Sequence, residues 1–268
     1  MTGCGGEENS KPNENSQATI IKLGMIAHLN ASEKQMEEYF FKVQEKTRAK
    51  VLNHVPVYFD NFSQMQMGIE SGKVDRISTY ENVANYVIAL NDKYEIPQVD
   101  WINGLEDNFC FAVRQEDTAL KADLDKVIDE MKGDGSLDKL VKEHIIDLNK
   151  GQTPQAIEIP KIDGADTIKI GVTGDLPPLD YITADGKPAG FNTALLAEVA
   201  KRLNKNVEIV NIDSGARAAA LSAEQIDVIF WAVVPIGGNF PEDIDKPEGI
   251  EFSKPYFKDE ITHLELKK

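Results

Sequence analysis

Arg217 is the side chain in this sequence best suited to hold a charged small molecule. It stands in DSGARAAALS, residues 213–222, where Asp213 or Ser214 can cap a helix and so place Arg217 in its first turn. Free backbone N–H groups and the helix dipole favour an anion at such a place, and the planar guanidinium fork can grip a carboxylate through two bonds. Ser214 adds a hydroxyl, and Gly215 allows an unobstructed backbone approach. The other reading of Arg217 is a solvated arginine on a helix. Trp231, followed by Ala232, lies in the apolar run VIFWAVV, where an aromatic either packs the core or forms a stacking wall for a ligand.

No pattern of residues points to catalysis. His54, His144 and His263 are scattered, with no His/Cys spacing for zinc, no G-x-S-x-G, and no glycine loop to cradle phosphate. Gly171, Gly174 and Gly186 do not form a dinucleotide fingerprint. The acidic run of Asp123, Asp125, Asp129 and Glu130 reads as a solvated helix face, and calcium-loop spacing is missing. No metal and no cofactor is expected.

The elements that must position these groups follow from residues 167–231. Residues 168–173 are short, β-branched and apolar, as in a strand buried on both faces. Residues 175–181 contain Pro177 and Pro178, which remove two backbone donors and predict an exposed connection. Asn192 is placed to cap a helix whose Leu195, Leu196, Val199, Ala200 and Leu203 share one face. A strand at 207–212, a helix after 213 and a strand from 228 complete the series. Strands alternating with helices predict a parallel sheet, with ligands in the crevice at the strands' carboxyl ends. Residues 174–181, 213–217 and 231–236 meet at that crevice.

The first part of the chain has the same grammar. Residues 20–27, 51–59 and 73–78 read as strands, and 62–71 and 80–90 as helices, the first of these ended by Gly72. A helix from Asn30 or Ser32 to about residue 46 is also expected. After a strand at 109–114, apolar residues at helical spacing run to a Gly133/Gly135 break and a further helix to Ile146. SGKVDRIST in this part echoes AEQIDVIFW in the other.

With 268 residues, 41% hydrophobic and 28% charged, the chain has room for two small domains of about 100 to 150 residues. The formal charge of -16 argues against nucleic acid, whose phosphates require Lys and Arg. No apolar run approaches the roughly 20 residues of a membrane span. Cys110 reads as a small buried hydrophobe. Cys4, in MTGCGG before the polar stretch EENSKPNENSQ, looks like the end of a bacterial lipoprotein signal; a chance cysteine in a polar tail is the alternative.

PPLDY, DGKPAGFN, ALSAEQIDVI and FSKPYF follow one another in an order that resembles the first lobe of type-2 periplasmic solute-binding proteins of the amino-acid-uptake kind. The helical segment from EDTALKADLDKVIDEMKG to VKEHI resembles the signature that ends chains of that family. Here it stands in the middle, so the resemblance implies a circularly permuted order. The expected organisation is a lipoprotein tether at 1–18, lobe A at 19–116 completed by a C-terminal strand at about 258–266, and lobe B at 117–257. The segment 149–166 would join the old ends, and the hinge would lie near 114–116 and 256–260. The implied fold is α/β and two-lobed, each lobe a mostly parallel sheet flanked by helices, with the ligand cleft between lobes.

The resemblance also implies site residues. In the family an arginine soon after the strand that DVIFW matches commonly holds the ligand's carboxylate, and an acid in the other lobe holds its amine. Here AVVPIGGNFPED carries no arginine, which makes Arg217 the substitute, and STYEN puts Thr79, Tyr80 and Glu81 where the acid lies. The loop with Asp175, Leu176 and Tyr181 corresponds to one that supplies an aromatic lid and a polar contact. His28 and Asn30, beside Leu29, would face the cleft from lobe A. The resulting expectation is a monomeric solute-binding protein, held by a lipid on Cys4 outside the bacterial membrane. It would deliver a small polar or amino-acid-like ligand to an ABC permease. A sensing domain and a dehydratase-like enzyme, with Asp175 or Glu81 as acid, are the other readings of the same fold.

Overall fold

The computed structural model describes residues 20–27, 29, 34–35, 38, 54–98, 104–236 and 242–268. Of the expected helix from Asn30 or Ser32, residues 34–35 and 38 are described and are helical; the rest of it, the tail bearing Cys4, and the side chains of His28 and Asn30 lie outside the described residues.

Three parallel strands form the base of the first lobe: β1 (Ile21–Ile26), β2 (His54–Phe59) and β3 (Arg76–Tyr80), in the order β3-β1-β2. Helix α1 (Phe62–Glu70) joins β2 to β3, and its start is fixed by Asn61, whose side chain accepts the Gln64 N–H. Phe62, Met65 and Ile69 form the buried face of α1. Gly68 lets the helix come down on β2, because a Cβ there would meet the Phe59 ring at 2.6 Å. Helix α2 (Glu81–Leu90) follows β3 directly and buries Val83, Ala84, Tyr86 and Val87.

The second lobe repeats this plan with β6 (Thr167–Val172), β10 (Asn206–Asn211) and β11 (Val228–Ile236), parallel in the order β10-β6-β11. Helix α5 (Gly190–Leu203) packs against them through Leu195, Leu196 and Val199. The helix starts two residues before Asn192, so Asn192 is not its cap. Its side chain lies in the interior and donates to the Asp180 carboxylate. The two-proline loop is a small antiparallel sheet of β7 (Asp175–Leu176), β8 (Asp180–Ile182) and β9 (Pro188–Ala189). Its turn is exposed only in part, since Leu176, Leu179 and Asp180 are buried. Gly190 is needed where this sheet enters α5: its φ is 81°, and a Cβ would lie 2.8 Å from the Pro178 carbonyl oxygen.

Two antiparallel strands join the lobes. β5 (Glu106–Arg114) lies between β11 and β12. β12 (Ile250–Leu266) is 17 residues long and pairs first with β5, then, from Ile261, with β3 and the short β4 (Tyr94–Glu95). One nine-stranded sheet thus runs through both halves, parallel at its two ends and antiparallel at the crossing. From Glu106 onward β5 is hydrogen-bonded to β11 on one side and to β12 on the other. Phe109–Val113 is buried on both faces, as in a strand inside a sheet covered by other layers. Arg114 fixes the end of β5 by donating to the Leu221 and Ile226 carbonyls at 3.1 and 2.8 Å and pairing with Asp117 and Asp227.

Helices α3 (Thr118–Gly133) and α4 (Ser136–Val141), separated by Gly135 in the left-handed region, cover β12 and α5. The segment after Gly151 is irregular but fastened. Ile157 N–H donates to the Pro188 carbonyl at 3.0 Å, and the Asn206 side chain bonds the Ile162 and Ala165 backbone.

Candidate ligand-binding cleft

A cavity of about 140 Å³ lies between the two lobes, at the carboxyl ends of β1, β3, β6 and β11. A roughly 150 Å³ apolar cavity is large enough to take up benzene, so this one has the scale of a small organic molecule. Thr79, Tyr80 and the end of β1 form its first-lobe wall, and Leu176, Ser214, Arg217 and Trp231 its second-lobe wall. Asp107 enters from the crossing strand β5, and Asp245 from the loop before β12.

Arg217 is 4% exposed. Its Nε donates to the Ser214 carbonyl at 3.2 Å, one Nη2 hydrogen to the Ser214 hydroxyl at 2.9 Å, and one Nη1 hydrogen to the Trp231 carbonyl. A guanidinium carries five N–H groups, so these bonds leave one hydrogen over on each terminal nitrogen of a side chain that lines the cavity. Burial lowers the Arg217 pKa, and the charges of Asp245 and Asp180 oppose that shift. The helix that begins at Arg217, α6 (Arg217–Ser222), has only six residues. The guanidinium, rather than a helix terminus, therefore supplies the positive charge.

Trp231 packs among aromatic rings and also lines the cavity. Its ring packs against Phe109 at 4.0 Å between centroids and against Tyr80 at 5.9 Å, while its edge lines the cavity. Ala232 is buried in a separate cluster with Ala112, Ile229 and Ile250, and the register of β11 shifts between Ile229 and Ala232. The Tyr80 hydroxyl donates to Asp107 Oδ2 at 2.9 Å. Burial, then the Asp107 charge, raises the Tyr80 pKa well above its ordinary value, so Tyr80 stays a neutral donor.

Several sequence candidates lie beside the cavity without lining it. Asp175 Oδ2 accepts the Ser63 backbone N–H at 2.9 Å, at the first turn of α1 in the opposite lobe. Burial raises its pKa, against the N–H groups of Ser63 and Phe62 that favour its charge. Tyr181 pairs with Asp175 in the β7–β8 sheet, Glu81 is exposed at the start of α2, and Gly215 approaches Ala27. Neither Asp175 nor Glu81 is aimed into the cavity as an acid would need to be. Asp107 and Asp245 were not legible as site residues: the first depends on the face that β5 turns to the cleft, and the second sits in a loop without a motif.

Behind the second-lobe wall lies a closed polar cluster. Asp180, fully buried, accepts the Thr173 backbone N–H at 2.9 Å, the Thr173 hydroxyl at 2.8 Å and the Asn192 side-chain amide. These bonds hold the proline loop against β6 and α5, and so set the positions of Thr173 and Leu176 at the cavity.

Residues 168–264 match the family model "Bacterial extracellular solute-binding proteins, family 3". A probable histidine-binding protein of Campylobacter jejuni is 27% identical over 101 residues, covering 38% of this chain and 36% of the relative. The chain thus spans about a third of the length of that relative. Among solved structures, the ligand-binding component of an ABC-type import system from Staphylococcus aureus aligns with a TM-score of 0.45 and 13% identity, over 93% of this chain and 66% of that one. A nutrient-binding protein from Burkholderia cenocepacia bound to methionine aligns with a TM-score of 0.43 and 13% identity, over 92% and 85%. Over residues 168–264, this mixed α/β chain carries the sequence pattern of the family-3 bacterial extracellular solute-binding proteins.

Proposed function

We propose that this chain is the extracytoplasmic binding component of an ABC importer and holds a small amino-acid-like ligand between its lobes. The observation that carries this reading is Arg217, a buried cation at the cavity with an N–H to spare on each terminal nitrogen. A carboxylate matches that pair in charge and geometry. Asp107, presented beside the Tyr80 hydroxyl, supplies the opposite charge for an amine, and Trp231 and Leu176 supply the apolar wall. The family acid on the first-lobe strand is thereby replaced by Tyr80 and an acid from β5.

Closure about β5 and β12 would bury the ligand, and the permease would recognise the closed form, which ligand stabilises by its differential affinity. A lipid on Cys4 and a tether at 1–18 would keep the protein at the membrane. Among the described residues no helix is long and apolar enough to cross it. The permuted order is supported by the place of the family match, at 168–264, behind the helices of 118–146.

A thermal-shift screen against amino acids, small carboxylates, polyamines and nucleosides tests the reading. A ligand at about 100-fold excess over its Kd stabilises by about 2.7 kcal/mol. The expected hit is an amino acid, lost in Arg217→Ala. Silence across the panel, or a hit indifferent to Arg217, would overturn it.

A further inference from the structure

Hydrogen bonds at Asp175 and at Ser214 cross from one lobe to the other beside the cavity, and they differ in what lies behind them. At the first, Asp175 accepts the Ser63 N–H of α1, and nothing connects its carboxylate to Arg217. At the second, Ser214 is 1% exposed. Its backbone N–H donates to the Asp60 carbonyl at 3.3 Å and its hydroxyl to the Ala27 carbonyl at 2.8 Å, both in the first lobe. The same hydroxyl oxygen accepts from Arg217 at 2.9 Å. A serine hydroxyl has one hydrogen, here directed at Ala27, so the chain of donors runs Arg217 to Ser214 to Ala27 in a fixed direction.

We propose that Ser214 is the positioning residue that couples an anion on Arg217 to closure of the lobes, while Asp175 holds the closed form independently of the ligand. This rests on the cavity being the ligand site. The physical reason is the cost of the closed arrangement itself. Bringing Ala27 and Asp60 against Ser214 seals a guanidinium away from water, and burying a cation is unfavourable unless anions and acceptors replace its solvation. Asp245 and Asp180 offset part of that cost. An anion on the two remaining N–H groups offsets more, and it strengthens the donor chain because hydrogen bonds in series polarise one another. When the first lobe withdraws, the Ser214 hydroxyl loses its acceptor and Arg217 regains solvent.

The experiment measures lobe separation by energy transfer between dyes on Lys73→Cys and Lys201→Cys, exposed positions in the two lobes, in a Cys4→Ser background. Each common L-amino acid is added in turn, with sodium acetate as the bare carboxylate, and binding is read separately by calorimetry. In the parent, a bound amino acid raises transfer. Ser214→Ala is expected to bind with affinity reduced about tenfold and to lose most of the rise, and Ser214→Thr, which keeps the hydroxyl, to regain it. Asp175→Ala is expected to show lower transfer without ligand but to keep the ligand-dependent rise. A Ser214→Ala protein that closes on ligand like the parent, or a Thr variant that behaves like Ala, would overturn the coupling alone. A parent that binds none of these probes would overturn the ligand-site reading, and the coupling with it.

Discussion

Two buried carboxylates, one in the proline loop of the second lobe and one at the crossing between lobes, are satisfied in different ways. Asp180 is enclosed by a backbone N–H, a hydroxyl and a side-chain amide from its own lobe. Asp259 on β12 accepts the Asn82 backbone N–H at 3.3 Å, the Asn82 side chain at 3.0 Å and the Glu260 N–H at 3.0 Å. Unlike Asp180, it stands in register with another acid, Asp107 on β5, and close to the charge of Glu81. Burial raises both pKa values, that of Asp259 to about 7. The Asp180 carboxylate belongs to one lobe's scaffold. The hinge charge is adjustable near neutral pH and bonds the crossing strand to helix α2 of the first lobe.

The largest expected effect is the pH dependence that Asp259 confers. Asp259 titrates at about 7 in the folded chain and at about 3.9 when unfolded. Between those values the unfolded chain binds fewer protons, so stability falls as pH rises through this window. The ceiling is about 4 kcal/mol, from roughly three pH units at about 1.4 kcal/mol each. Urea unfolding from about pH 4 to 7 should show the decline in the parent, and Asp259→Asn should flatten it. An unchanged slope in the variant would remove the distinction between hinge and loop.

Asp180→Ala comes next. It leaves the Thr173 N–H, the Thr173 hydroxyl and the Asn192 amide without their acceptor in the interior, at about 1 kcal/mol or more each, so a loss of about 3 kcal/mol is expected. The urea midpoint measures it. A loss below about 1 kcal/mol would mean that water replaces the carboxylate and that the loop is not held from within.

The parallel cores of both lobes were legible because their strands are short, mostly apolar runs and their helices carry apolar residues at regular spacing. The proline loop was legible as a turn but not as a buried polar cluster. Pro177 and Pro178 announce the change of direction, while Asp180 finds its donors at Thr173 and Asn192, which only tertiary packing brings together. Asn192 looked like a cap because Asn before an apolar face usually is one. The helix begins earlier, at a glycine in the left-handed region. The position of β5 was hidden for a related reason: an apolar strand with both faces buried does not say which sheet receives it. Of the cleft, Arg217, Ser214 and Trp231 could be read from topology. Asp107 could not, because its exposure to the cavity follows from the crossing of β5 and β12.

Arg217→Ala tests the cleft against both polar regions. Charge-assisted hydrogen bonds contribute about 1.5–3 kcal/mol, so the affinity for a carboxylate-bearing ligand should fall roughly tenfold to a hundredfold by calorimetry. A variant that lost stability but kept affinity would show Arg217 to be a scaffold charge like Asp180.

Asp107→Asn is the finest of these probes. The amide keeps an oxygen for the Tyr80 hydroxyl, so the strand crossing and the aromatic wall of Tyr80, Phe109 and Trp231 should persist. What disappears is one negative charge across the cavity from Arg217. In a partly desolvated site this should weaken a ligand bearing an amine by about 1 kcal/mol, roughly fivefold, and leave the matching carboxylate without an amine nearly unaffected. Calorimetry with an amino acid and its des-amino analogue makes the comparison within one protein. Equal losses for both ligands would place the effect in the Tyr80–Asp107 bond and not in the charge. The hinge strand would then shape the cleft without reading the ligand.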